Sequence, residues 1–294
     1  MTLAALDPSA PSGLRRLWDE ADALRRAAAL IGLAVAAVAL LAPWIAPHDP
    51  VAQSLIARFR PPVGFEGYRA GHLLGTDELG RDILSRSLHA LRLTLALALL
   101  GATIGLVIGG TLGLVAGVAG GRVEAAIMGA VDVQIAVPFT LVALFVLTLF
   151  GSTLNVLVVV LGLYGWEQYA RIVRAEAARM MAMPFVEAAR CAGASPSRIA
   201  AVHLLPNLIS PLVVQFTLSL TAIMLLESTL SFLGLGVQPP TATLGAMVGV
   251  GRDYMPTAPW IVLAPAILML LVTFSIQILG DWLRDRADPR LRRR

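Results

Sequence analysis

Few residues of this chain have chemical potential, and they fall into three groups. The first is Asp77, Glu78, Arg81, Asp82 and Arg86, inside LGTDELGRDILSR at 74–86. Arg81 follows Asp77, and Arg86 follows Asp82, at the i,i+4 spacing of a helical ion pair. Two readings stand side by side: a charged helix start that satisfies itself, and a docking patch for a partner protein. A metal site is discounted, because His72 and His89 flank the acids singly and no His or Cys group stands at ligand spacing. The second group is Asp132, Glu167 and Glu227, set in or beside apolar stretches. Ionisable groups at membrane depth are functional candidates by default. The expectation for all three is structural or gating pairing rather than substrate binding.

The third group is the charged insert 171–207. It begins Arg171-Ile-Val-Arg174, continues Glu187-Ala188-Ala189-Arg-Cys-Ala-Gly193-Ala-Ser195-Pro196, and ends His203-Leu-Leu205-Pro206-Asn207. Glu187 to Ala192 are good helix formers, and Gly193 supplies a turn or C-cap. Ser195-Pro196 offers a cap and a first-turn proline for a second short helix, which Pro206 is expected to close. The spacing therefore predicts a helix–turn–helix. Alanines 188, 189 and 192 leave a flat face that another protein can approach closely.

Catalysis finds little support. All 23 basic residues are arginine. Without lysine the chain cannot carry a phosphate-binding GxxxxGK[ST] loop. No Ser/His/Asp order and no metal cluster is legible, so the expectation is no enzyme, no metal and no cofactor. The single Cys191 excludes an internal disulfide. The net charge of +4 does not imply nucleic acid, because the arginines cluster beside apolar stretches rather than on one soluble face.

The elements that must position these groups are membrane spans. The chain of 294 residues is 57% hydrophobic and only 14% charged, where soluble domains carry about 25%. Six stretches near the 20 residues needed to cross a bilayer read as helices: 27–46, 91–118, 126–150, 153–170, 208–232 and 258–280. The first is read as an uncleaved span rather than a signal peptide. Glycines 101, 105, 109, 113, 117 and 121 make a small-xxx-small ridge along the second span, and so predict tight packing against another helix. Pro138 and Pro265 are expected to kink the third and sixth spans. Arginines divide 16 to seven in favour of both termini inside. That gives a cytoplasmic segment 1–26, a periplasmic loop 47–90, a five-helix core 91–280 containing the cytoplasmic loop 171–207, and a cytoplasmic tail 281–294 near anionic lipid.

The insert resembles the EAA loop of ABC-importer permeases, with Glu187, Ala188, Ala189, Gly193, Leu205 and Pro206 at the family spacing. His203 stands where the general pattern has Ile, and HLLPN at 203–207 is similar to the peptide-importer branch. The 74–86 segment, Asp132 with Pro138, and ESTLSFLGLGVQPP at 227–240 resemble the same branch. The likeness is to the second ("C"-type) permease of dipeptide, oligopeptide and nickel importers. It implies an all-α type I permease in the bacterial inner membrane. It also implies a homologous permease partner, two ATPase subunits that use ATP and Mg2+, and a periplasmic or lipid-anchored solute-binding protein. The loop with Glu187 and Ser195 would be the coupling helix seated in the ATPase. Peptides fit best as cargo, with nickel complexes and glutathione-like solutes open, and a stand-alone channel or membrane enzyme is the reading from a different class.

Overall fold

The computed structural model describes residues 23–68 and 70–287, with side chains to 284. Arg15, Arg16, Arg69 and the tail arginines from 286 onward lie outside the described side chains. Among the described residues the elements are helical, with one isolated β-bridge between Thr76 and Asp82. Five helical stretches are long and apolar enough to cross a membrane, and a bent pair makes a sixth.

Helix α1 (Ala23–Ile45) is the first span. Helix α2 (Ile83–Ala119) has 37 residues, about 55 Å at 1.5 Å per residue. It begins eight residues before the expected start of the second span, because Asp82 caps it: the Asp82 carboxylate accepts from the Ser85 N–H at 2.8 Å. Helices α3 (Gly121–Ala136) and α4 (Phe139–Phe150) meet at 83°. The sequence predicts a kinked single span there; the chain instead breaks into two helices. Proline drives the residue before it out of the helical region, and Val137 is extended, at φ −101° and ψ 127°.

Helices α5 (Leu154–Gly162) and α6 (Trp166–Met181) form one span across a left-handed Gly165. The expected end at 170 is eleven residues short. The helix continues because Val173, Ala177 and Met180 keep an apolar face buried while Arg171 and Arg179 point outward. Helices α7 (Pro184–Cys191) and α8 (Pro196–Ile199) follow. Pro206 does not close α8. The chain passes through a π-turn, Ala200–Leu204, straight into α9 (Leu205–Phe232), so that Pro196–Phe232 is one apolar stretch. Pro206 sits in the first turn of α9, where its missing N–H costs nothing, and the i→i+5 turn before it relieves its ring. A short helix α10 (Leu244–Gly251) precedes α11 (Trp260–Ala287), which Pro265 does not interrupt.

Successive spans alternate in direction. One end of the bundle carries 46–82, the α4–α5 turn and 233–259; the other carries the α6–α9 connection. At the first end the Trp260 indole N–H donates to the Thr76 carbonyl at 3.1 Å, and Phe59 packs on Tyr254. The main apolar core joins α2, α5, α9, α10 and α11.

The most extensive helix pairing among the described residues is α2 against α6, running parallel. Gly101 and Gly105 face the carbonyls of Leu161 and Tyr164; Gly109, Gly113 and Gly117 face Trp166, Ala170 and Ala177. A Cβ at Gly113 would fall 2.5 Å from the Ala170 carbonyl oxygen, and one at Gly109 would run into that of Trp166. Gly121 lies outside this ridge: at φ +54° it opens α3 with nothing within 4 Å of a Cβ. Overpacking of this kind costs about 1–3 kcal/mol. Gly109→Ala should therefore lower the thermal midpoint of the purified protein. Gly110→Ala, one residue away and facing open space, should leave it unchanged. Equal midpoints would show that the close approach is not limiting.

Candidate coupling surface

The turn between α6 and α9 is built to a fixed shape. Pro184 starts α7 after an extended Met183. Gly193 ends it at φ +82°, a conformation that side-chain-bearing residues rarely adopt. The Ala194 N–H donates to the Ala189 carbonyl at 3.0 Å, and the Gly193 N–H to that of Arg190 at 2.9 Å. That pair of bonds is a Schellman closure. Ser195 then caps α8, its Oγ accepting from the Arg198 N–H at 3.3 Å. Glu187 in the first turn of α7 and Arg190 in the last both suit the helix dipole.

One face of α7 is anchored and the other is free of the bundle. Val186 is fully buried and packs with Val173, Ala177, Met180, Ile199, Leu204 and Leu208. Ala189 and Ala194 lie against the same cluster. Glu187, Ala188, Cys191 and Gly193 are exposed, as are Ser195, Leu205 and Pro206. The turn thus presents a small, smooth acidic-tipped face on a rigid seat. The sequence reading missed the seat, although Val186, Ile199 and Leu204 are the apolar residues between the polar ones. A groove of about 710 Å³ opens beside it between α6 and α9, bordered by Glu176, Arg179, Met183, Phe185, Asn207 and Arg284.

The intramembrane acids have different settings. Asp132 is exposed on α3 and pairs with Arg171 of α6 at 2.7 Å. Glu124 and Arg174 make a second link, about one turn on along α6 and about two turns back along α3. Glu167 is buried at the start of α6, with Oε2 unpartnered. Glu227 is 1% exposed. Its Oε1 accepts from Ser231 and from Thr243, both at 2.6 Å, while Oε2 has no partner. Thr243 caps α10, and the neighbouring Leu244 N–H donates to Thr94 of α2. Glu227 therefore ties α9 to α10 through hydroxyls rather than through a cation.

At the opposite end, the 74–86 charges turn inward. Asp77 meets Arg81 at 2.7 Å and Arg86 at 3.4 Å, and Arg81 reaches Glu78 at 2.5 Å. The expected Arg86–Asp82 pair does not form. Asp82 is committed to the α2 cap, and it faces His72 at 3.0 Å. Gly75 and Gly80, at φ +80° and +71°, let this segment press on the backbone of Arg60 and Ser54.

Comparison with known proteins places this geometry. The chain is 40% identical over 292 residues to the di/tripeptide transport system permease protein DppC of Pseudomonas aeruginosa, covering 98% of this chain and 96% of that one. It is 38% identical to the dipeptide transport system permease protein DppC of Escherichia coli K12 (91% of each chain), and 35% identical to that of Haemophilus influenzae (90% and 91%). Among solved structures, the inward-facing MetNI methionine ABC transporter aligns with a TM-score of 0.55 at 20% identity, over 70% of this chain and 98% of that one. The likeness covers the fold alone. The description of binding-protein-dependent transport system inner membrane components matches residues 109–293, from the middle of the glycine ridge through the α7 turn and α11. The chain belongs to that family, and is a multi-pass permease of the bacterial inner membrane.

Proposed function

We propose that this chain is one of two homologous permeases lining the path of a peptide importer, and that the exposed face of α7 docks on an ATPase subunit. The observation that carries the reading is the seat of α7. Val186 locks it to α6 and α9, so a displacement of Glu187–Cys191 cannot be absorbed locally. It passes into α6, then into α2 through the glycine ridge, and into α9 through the unbroken 196–232 stretch. ATP and Mg2+ work in the ATPase pair, whose closure pulls α7 and rocks the spans between inward- and outward-facing states. The hydrolysis chemistry belongs to that pair rather than to this chain.

In this account α7 and both termini are cytoplasmic, as the arginine bias favours. The 46–82 and 233–259 segments face outward, toward a solute-binding protein that sets most of the selectivity. Peptide cargo is supported by the relatives named above, each a dipeptide or di/tripeptide permease.

Glu187→Lys reverses the exposed charge without touching the buried seat. Gly193→Val forces a β-branched residue to positive φ, which costs about 1–2 kcal/mol and redirects the turn. Both variants should reach the membrane at normal levels but take up labelled dipeptide at background rates. Normal uptake in both would remove the coupling role. Cargo is tested separately, in proteoliposomes containing the full transporter and its binding protein. Labelled di- or tripeptide should accumulate with ATP, whereas accumulation of a nickel chelate and no peptide would overturn the substrate reading.

A further inference from the structure

Two buried carboxylates at the outward end are treated differently. Asp77 has two arginines within 3.4 Å. Asp82, whose side chain is 1% exposed, faces only histidines within ion-pair distance among the described residues. His72 Nδ1 lies 3.0 Å from Oδ1, and His48 Nδ1 lies 3.8 Å from Oδ2. The two imidazoles stand 4.8 Å apart, 30° from parallel. In the sequence only His72 stands near the acids; His48 follows α1 and is 34 residues before Asp82, so the pairing depends on the fold.

We propose that His48, His72 and Asp82 bind one divalent transition-metal cation of the zinc, cobalt or nickel class. The three ligand atoms lie within 4.8 Å of one another. Metal–ligand bonds of about 2.1 Å in tetrahedral geometry place ligand atoms about 3.4 Å apart. The two nitrogen–carboxylate separations bracket that value, the 3.0 Å one being a hydrogen bond that the cation would replace. The set as a whole, spanning up to 4.8 Å, would close around the cation. Two imidazole nitrogens with one carboxylate favour these borderline cations over Mg2+ or Ca2+, which take oxygen donors. The frame is already fixed. Ser85 donates to Asp82 Oδ2 through its N–H at 2.8 Å and its hydroxyl at 2.7 Å, and its Oγ accepts from the His48 backbone N–H at 3.0 Å. Such outer contacts orient the ligands. His48 is 39% exposed, which leaves a solvent-facing position for entry and for a fourth ligand. The bound cation would supply the positive charge that Asp82 lacks, and would staple the chain leaving α1 to the cap of α2.

The test uses the full transporter in detergent, stripped with chelator and titrated with Co2+ and Zn2+. Wild type should bind one cation more per copy of this chain than His48→Ala/His72→Ala, with the Co2+ absorption of a tetrahedral N/O site. His48→Ala alone, which removes the more exposed ring, should weaken binding at least about tenfold. It also keeps the test sound if the double variant misfolds. Equal stoichiometry and affinity in wild type and His48→Ala would overturn the proposal, as would Mg2+ competing on equal terms with Co2+. Neither readout involves peptide uptake, so the outcome is independent of the proposed transport role.

Discussion

Two helices in lipid gain nothing from hiding apolar surface from each other, so their backbones must approach closely to attract. In this permease that requirement is met along α2. Five glycines one turn apart let its backbone lie on the carbonyls of α5 and α6 for four turns. Side chains on this face would push the helices apart, and everything fastened to either helix would move with them. The 46–82 segment is tied to the start of α2 through the Asp82 cap, and the α7 turn continues from the end of α6. The ridge is thus the shared frame of both ends.

The two ends then solve different problems. At the α7 end polar groups are turned out and alanines keep the surface low, while a small separate apolar cluster holds the helix from behind. At the other end polar groups are turned in. Asp77, Arg81 and Asp82 are buried; the two aspartates are met by arginine, histidine and backbone N–H, and Arg81 by the carboxylates of Asp77 and Glu78. Glu227 joins α9 to α10 through two hydroxyls. The α7 surface is left open, and the opposite end, which holds its own shape, carries its own partners.

Much of this was legible in the sequence. Long apolar stretches marked the spans, because bilayer thickness sets a length that composition reveals. The glycine period marked α2, and Gly193 with Ser195-Pro196 marked the turn, because each residue there serves a local backbone need. Span ends were less legible. Arg171 and Arg174 suggested that the fourth span stopped at 170, yet α6 runs on with those charges on its outer side. Pro206 suggested a stop, yet a π-turn carries the helix past it. Proline disfavours a helix where its N–H is needed or its ring meets the carbonyl four residues back, and the sequence alone does not fix that register. Pairings between distant segments were least legible. Thr243 with Glu227, Trp260 with Thr76, and His48 with Asp82 depend on which loops the spans bring together.

The coupling role requires the α7 face to lie inside the cell against an ATPase, and the chain carries its own reporter for that position. Cys191 is the single cysteine, exposed at the end of α7 one turn from Glu187. Inside-out membrane vesicles of the complete transporter should be treated with a short thiol–amine cross-linker. The account predicts a Cys191-dependent product joining this chain to an ATPase subunit, its yield changed by ATP and abolished in Cys191→Ser. Modification of Cys191 by a membrane-impermeant maleimide in intact spheroplasts, with no cross-link in the vesicles, would contradict it.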